Sequence, residues 1–438
     1  MRRLVILGLL YGGLQLVLPL GSGGATSQSL LTFGFLILSA YTVGELAVAI
    51  RLPQIVGYLA AGLLFGPPGF GVVTAEVVDT LAPVSALAIA LIAFLAGAEL
   101  LWREVKERWR VVLAMLSAEL VIAFVGIAAT IYLLSGLLPF LADATPREIV
   151  AFAVLFASVA IIHSPAVTLA LLSETGARGA VARTTLGVVL AADVAVVLFF
   201  SGALVFARTL VPPPGSGGVS ALAVLWEIGG AVLVGAVLGA GVALYLRFVN
   251  RELFIFAILV TFFGAEIARL AHVETLLTLL TAGFVAENAG GGRGDALRHA
   301  MERAAAPVFV VFFALSGTRI QPSAVLELWP LVIPLVLVRA LGIMAGTRLG
   351  GRWAGMPTAE SRWVWMGLIS QAGVAIGLAQ VVAEVYPTRG EQLRTLFLAT
   401  LAINQTLGPI LFRQALVRSG EAVAEGGERG LRVATAAQ

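Results

Sequence analysis

Two ionisable side chains of this 438-residue chain sit deep inside apolar sequence. Asp193 lies in the run Leu186–Phe200, with apolar residues for about two turns on either side. Arg339 lies in Leu335-Val336-Leu337-Val338-Arg339-Ala340-Leu341-Gly342, midway between Trp329 and Arg348. An aspartate in such a place can hold a proton or ligate a hard cation, but not both together. A guanidinium keeps its proton in proteins, so Arg339 is a fixed charge and not a proton carrier. A charge at mid-bilayer costs about 2.5–3.5 kcal/mol on insertion scales, and ionisable groups kept there mark ion or proton paths by default. Pairing Asp193 with Arg339 would lower the cost of both; the bland reading of Asp193 is a structural acid buried against an arginine.

Two stretches place polar and helix-breaking residues where apolar bulk is expected. The first is Phe156–Thr168, with His163, Ser164 and Pro165 at its centre. Proline removes a backbone donor and frees the carbonyl one turn earlier. Freed carbonyls and hydroxyls at membrane depth are oxygen ligands for a monovalent cation if they line a cavity. The second is Gly367–Gly377, which contains Ser370 and Gln371. Two breaks at equivalent positions point to a transporter site. For His163 alone, a hydrogen-bonded interior histidine is the simpler reading. Glu45 and Glu99 fall near helix ends, where Arg51 and Arg103 account for them. Glu119, Glu266 and Glu384 lie deeper; Glu266 has Arg269 within reach and Glu119 has no visible partner. Asn404-Gln405 suits interhelical hydrogen bonding.

The elements that must position these residues follow from composition. The chain is 59% hydrophobic and 12% charged, with a mean hydropathy of +1.00. Ordinary soluble domains carry roughly 25% charged residues, so a soluble globular protein is excluded. The net charge of +3 comes from basic residues scattered between apolar runs, which argues against a nucleic-acid partner. The absence of cysteine excludes disulfides, thiolate metal sites and thiol catalysis. No cofactor is expected, and no metal beyond a transported ion.

A membrane helix needs about 20 apolar residues, and fourteen segments qualify. They begin near Leu4, Leu30, Gln54, Pro83, Arg110, Glu148, Val181, Ala221, Glu252, Val273, Ala304, Trp329, Ser361 and Leu393. The fold class is therefore an all-α integral membrane protein. Arg2-Arg3 and the small residues near Ala25 also fit a cleaved signal, which would leave thirteen helices. Of the 28 basic residues, 21 fall on one side of this topology, which is then cytoplasmic and holds both termini. The expected organisation is an N-terminal helix or signal-like segment (1–28), a six-helix repeat (29–210), a linker helix (221–249), a second six-helix repeat (252–416) and a short cytoplasmic tail (417–438). Seven spans separate corresponding helices, so the repeats would be inverted, as in secondary transporters.

These residues resemble the monovalent cation:proton antiporter superfamily, in the branch of the glutathione-gated potassium efflux transporters and related sodium/proton exchangers. The likeness runs from about Leu30 to Leu416 and is carried by Pro53–Pro67, Phe94–Leu100, Ser164-Pro165-Ala166-Val167, Asp193 and Ser370-Gln371-Ala372-Gly373-Val374. It implies crossing, partly unwound helices at the Glu148 and Ser361 segments, a dimerisation domain, a homodimer and elevator-like movement. It also implies Asp193 as the ion-binding acid with Arg339 near it. Ala192 stands where the family often has a second polar residue, and the tail is too short for the nucleotide-binding domain of the potassium-efflux relatives. Gating in cis is then not expected, which leaves room for a separate regulatory subunit. The expected function is exchange of Na+ or K+ for H+ at a plasma membrane, by alternating access and electroneutrally. The alternatives are an organic-anion symporter with Arg339 binding a carboxylate, or a non-transporting membrane sensor or partner subunit. An intramembrane enzyme lacks a paired-acid, metal-ligand or nucleophile motif.

Overall fold

The computed structural model describes residues 7–8, 10–12, 25–98, 102–212, 221–249, 253–289, 307–320, 322–371 and 373–422. Most of the segment starting at Leu4, the loop from Pro213 to Gly218, Glu99, the Glu384 side chain and the tail beyond Ala422 lie outside the description. All regular structure among the described residues is helical. In chain order the helices are α1 (Ala25–Ala49), α2 (Gln54–Phe65), α3 (Ala75–Thr80), α4 (Ala82–Ala98), α5 (Trp102–Leu133), α6 (Pro146–Ala160), α7 (Pro165–Thr175) and α8 (Ala180–Leu210). Then follow α9 (Ala221–Phe248), α10 (Leu253–Leu270), α11 (Thr275–Ala289) and α12 (Pro307–Thr318). The last are α13 (Pro322–Glu327), α14 (Trp329–Trp353), α15 (Thr358–Gly367), α16 (Gly373–Val385) and α17 (Pro387–Arg418).

Six described segments are long and apolar enough to cross a bilayer: 29–49, 108–133, 146–175, 228–248, 329–353 and 387–418. Four apolar helices, Gln54–Phe65, Ala82–Ala98, Thr275–Ala289 and Pro307–Thr318, are shorter. At 1.5 Å per residue, the twelve residues of α2 reach about 18 Å, against a hydrocarbon core of about 30 Å. Gly66-Pro67-Pro68-Gly69 stops it, because proline cannot continue a helix.

The chain forms two compact units. One joins residues 1–102 to 218–327 and holds α1–α4 and α9–α13. Within it α11 packs on α4 and α9, and Gly283 lets α11 approach α4 where any side chain would strike the Phe94 carbonyl. The expected pair of Glu266 with Arg269 forms on α10, and Glu45 accepts from Gln54 Nε2 at 3.2 Å.

The other unit joins 103–217 to 328–438 and contains α5–α8 and α14–α17. Local chemistry starts and stops its helices. Thr145 and Glu148 form a reciprocal capping box that spans Pro146, so α6 begins there. Ser164 caps α7 by accepting from Val167 N at 3.2 Å, with Pro165 at the first helical position, where its missing donor costs nothing. Gly176, at φ 64°, closes α7 in the left-handed region. The N-cap of α8 is Gly179, which has no side chain to offer. Glu421 supplies the cap from the far end of the unit, accepting from Val181 N at 2.7 Å and Ala182 N at 2.8 Å.

Candidate functional site

Both expected breaks exist and both lie in the second unit. Residues 161–164 separate α6 from α7, and a short non-helical stretch from Leu368 separates α15 from α16. A helix ends with carbonyls that have no partner inside it, and burial makes each costly to leave bare. Arg339 meets this need at both ends together. Its Nε donates to Ala160 O at 2.6 Å, and Nη2 to Ile162 O at 2.9 Å. Its Nη1 donates to Ile369 O at 2.7 Å, and Nη2 reaches Leu368 O at 3.3 Å. The two interrupted helices therefore meet at their breaks, bound through one guanidinium that is 2% exposed.

α14 delivers Arg339 because its buried residues include a stripe, Leu331, Leu335, Arg339, Gly342, Gly346 and Gly350, three or four apart. The glycine end of that stripe lies against α5, with Gly342 at Ala123 and Gly346 at the Glu119 backbone, where a Cβ would collide. The close approach sets the depth of Glu119, which is fully buried. Glu119 Oε1 lies 2.9 Å from His163 Nε2. The other ring nitrogen, Nδ1, lies 2.7 Å from Leu368 O.

A second tie runs from α17 through the breaks. Asn404 Nδ2 donates to Gln371 Oε1 at 2.8 Å, and Gln371 Nε2 donates to Ala160 O at 2.7 Å. The interhelical role expected of Asn404 is thus met.

The sequence-derived candidates divide accordingly. His163, Gln371 and Arg339 come together at the breaks, and Ser164 and Pro165 start α7 there. Ser370 is 1% exposed, and its hydroxyl has no hydrogen-bond partner among the described residues. Four carbonyls at the breaks, Ala160 O, Ile162 O, Leu368 O and Ile369 O, are taken up by Arg339, Gln371 and His163. Carbonyl oxygens satisfy Arg339 in this arrangement. Asp193 lies on α8, partly accessible, and α8 packs along α6, α7 and α15. Glu119 is the group that sequence reasoning left without a partner. Only its depth in an apolar run singled it out, because its partner stands 44 residues away across a break.

A bundle of apolar helices, two of them interrupted and joined at their breaks by a buried charge, defines a polytopic membrane carrier of the broken-helix kind. The chain belongs to the sodium/hydrogen exchanger family, whose transmembrane region it matches over residues 34–416. Among solved structures it resembles the sodium proton antiporter MjNhaP1 from Methanocaldococcus jannaschii at pH 8, with a TM-score of 0.68 and 16% identity over 90% of this chain and all of that one. An electron-microscopy structure of MjNhaP1 gives the same TM-score at 17% identity, covering 90% of this chain and 98% of that one. At such identities the likeness shows the fold. A curated relative, the iron transporter MagA of Paramagnetospirillum magneticum, is 30% identical over 169 residues, 38% of this chain. That match spans 36% of the relative's length.

Proposed function

We propose that the protein exchanges a monovalent alkali cation, sodium or potassium, for a proton, with Asp193 as the carboxylate that holds one or the other. The observation that carries this reading is the meeting of two interrupted helices around one buried, permanently charged arginine. Interrupted helices at membrane depth are where secondary transporters place their ion sites. Helix lengths support putting Asp193 at that level. From the turn at Gly176–Gly179, Pro165 lies about 16 Å back along α7 and Asp193 about 20 Å forward along α8, a difference of less than one helical turn.

A proton and a cation compete for one carboxylate, and alternating access turns that competition into exchange. Arg339 cannot titrate, and Ala192 supplies no second acid, so each cation exchanges for one proton and net charge does not move. The division into two separately compact units supports an elevator movement of the unit that holds the breaks. The plan of fourteen segments with two inverted six-helix repeats, a homodimer and a plasma-membrane location with both termini cytoplasmic belongs to the same proposal. Iron transport is not carried over from MagA, whose match spans little more than a third of either chain.

Proton movement in everted or reconstituted vesicles, with Na+, K+ and Li+ added in turn, tests the reading. The parent should release protons on addition of its cation, and Asp193→Asn should reduce that response to the level of protein-free vesicles. Exchange that survives in Asp193→Asn removes the assignment.

A further inference from the structure

Glu119 and His163 face one another inside the second unit with no solvent contact at either side chain. The partners of the ring determine where its protons are. Leu368 O can only accept, so the 2.7 Å contact requires a hydrogen on Nδ1. A neutral imidazole with hydrogen on Nδ1 presents a bare lone pair at Nε2. That lone pair would then face Glu119 Oε1 at 2.9 Å, and two acceptors do not approach so closely without a hydrogen between them. One further proton is therefore held in the contact. It makes the pair either a neutral glutamic acid beside neutral imidazole or a carboxylate beside imidazolium; the net charge is zero in both.

We infer that Glu119 and His163 form a second proton-binding site, separate from Asp193, that holds one shared proton and ties the second helix break in place while it does so. Glu119 Oε2 has no hydrogen-bond partner among the described residues. Loss of the shared proton leaves a fully buried carboxylate with neither oxygen bonded, facing a lone pair. This arrangement cannot persist, so His163 leaves Leu368 O or water enters the break.

Among the described residues, the charged group shown against the pair is Arg339 of α14, whose Nη2 lies 3.4 Å from His163 Nδ1. The second break and α17 present Ser370, Gln371 and Asn404, all uncharged. Asp193 of α8 is close to the pair in depth. Val112 packs on Gly187 and Phe124 on Phe199, both offset by 75 residues, so α5 and α8 run parallel with Glu119 level with residue 194. With the proton bound, Arg339 and the pair together carry one positive charge; without it they carry none. Proton release thus removes a charge that would repel a cation arriving at the same depth.

The consequence for transport rests on the exchanger reading, whereas the protonation itself can be read without transport. In the full chain in liposomes, His272→Asn and His299→Gln leave His163 as the one histidine, and nitrogen NMR of 15N-labelled histidine reports its state. Asparagine is chosen for position 272 because the backbone there has φ 54°, which asparagine tolerates. Below the pH at which the pair loses its proton, the ring should be either neutral with hydrogen on Nδ1 beside a protonated carboxyl seen by infrared, or imidazolium. Asp193→Asn should leave this signal unchanged.

Glu119→Gln supplies a covalent amide N–H to His163 Nε2, so the contact survives without an ionisable carboxyl proton. Exchange should persist in this variant, with its pH dependence reduced from two titrating steps to one. A neutral ring with hydrogen on Nε2, or identical pH profiles in parent and Glu119→Gln, would overturn the inference. If the parent shows no cation-driven exchange, the proposed function falls while the NMR and infrared signals still decide the pair.

Discussion

Each helix C-terminus carries about half a negative charge from its aligned peptide dipoles, and the ends of α6 and α15 both lie against the Arg339 guanidinium. Two half charges of one sign meet one whole charge of the other. The planar fork of arginine suits this task, because its donors leave in fixed and different directions. Ile162 O and Ile369 O take their side-chain hydrogen bonds from Arg339 alone among the described residues, whereas Ala160 O and Leu368 O also receive Gln371 and His163. Arg339→Leu should therefore strand two buried carbonyls, at about 1–3 kcal/mol each. Thermal melting in detergent should show the loss, and Arg339→Lys should restore part of it through a single ammonium. Melting of Arg339→Leu at the parent temperature would mean that the guanidinium does not hold the breaks together. The sequence marked Arg339 and Asp193 as anomalies because charge in apolar surroundings is rare. It did not show that backbone carbonyls satisfy the guanidinium, since backbone oxygens are present at every position and carry no signature.

The interrupted helices were legible because proline, serine and glutamine in an apolar run advertise a break. Capping box, proline and left-handed glycine act within a few residues of each other, so the ends of α6 and α7 could be read locally. The start of α8 could not. Its own N-cap is a glycine, and the acceptor comes from Glu421, 240 residues away. Because α8 carries Asp193, that cap bears on the candidate site from about 20 Å along the helix. Glu421→Ala should cost about 0.5–2 kcal/mol, the usual range for a lost cap. Hydrogen exchange should quicken at the amides of Val181 and Ala182 while protection at the breaks is retained. Unchanged exchange at those two amides would show that Glu421 does not hold the helix end in the membrane-bound protein.

At the scale of the whole molecule, the proposed one-for-one stoichiometry makes a thermodynamic statement. A carrier that moves no net charge reaches the same steady-state ion gradient at any membrane potential, whereas moving one elementary charge couples to about 2.3 kcal/mol per 100 mV. In reconstituted vesicles with the potential clamped by valinomycin and potassium, the final sodium gradient of a sodium-transporting protein should not change with the clamp. A gradient that follows the potential would show that more than one proton moves per cation, and the Glu119–His163 pair would be the first place to look for the second. Composition and periodicity alone determined the membrane class, the positions of most helices and the two breaks, because insertion into a bilayer depends on hydrophobicity summed along the chain. Only the tertiary structure decided which side chains meet at the breaks: the arginine with four carbonyls, the histidine with a glutamate, the glutamine with an asparagine. Those contacts join residues from 29 to 179 positions apart. A buried polar group takes whichever partner the packing of helices brings within about 3 Å, and no local pattern in the chain encodes that choice.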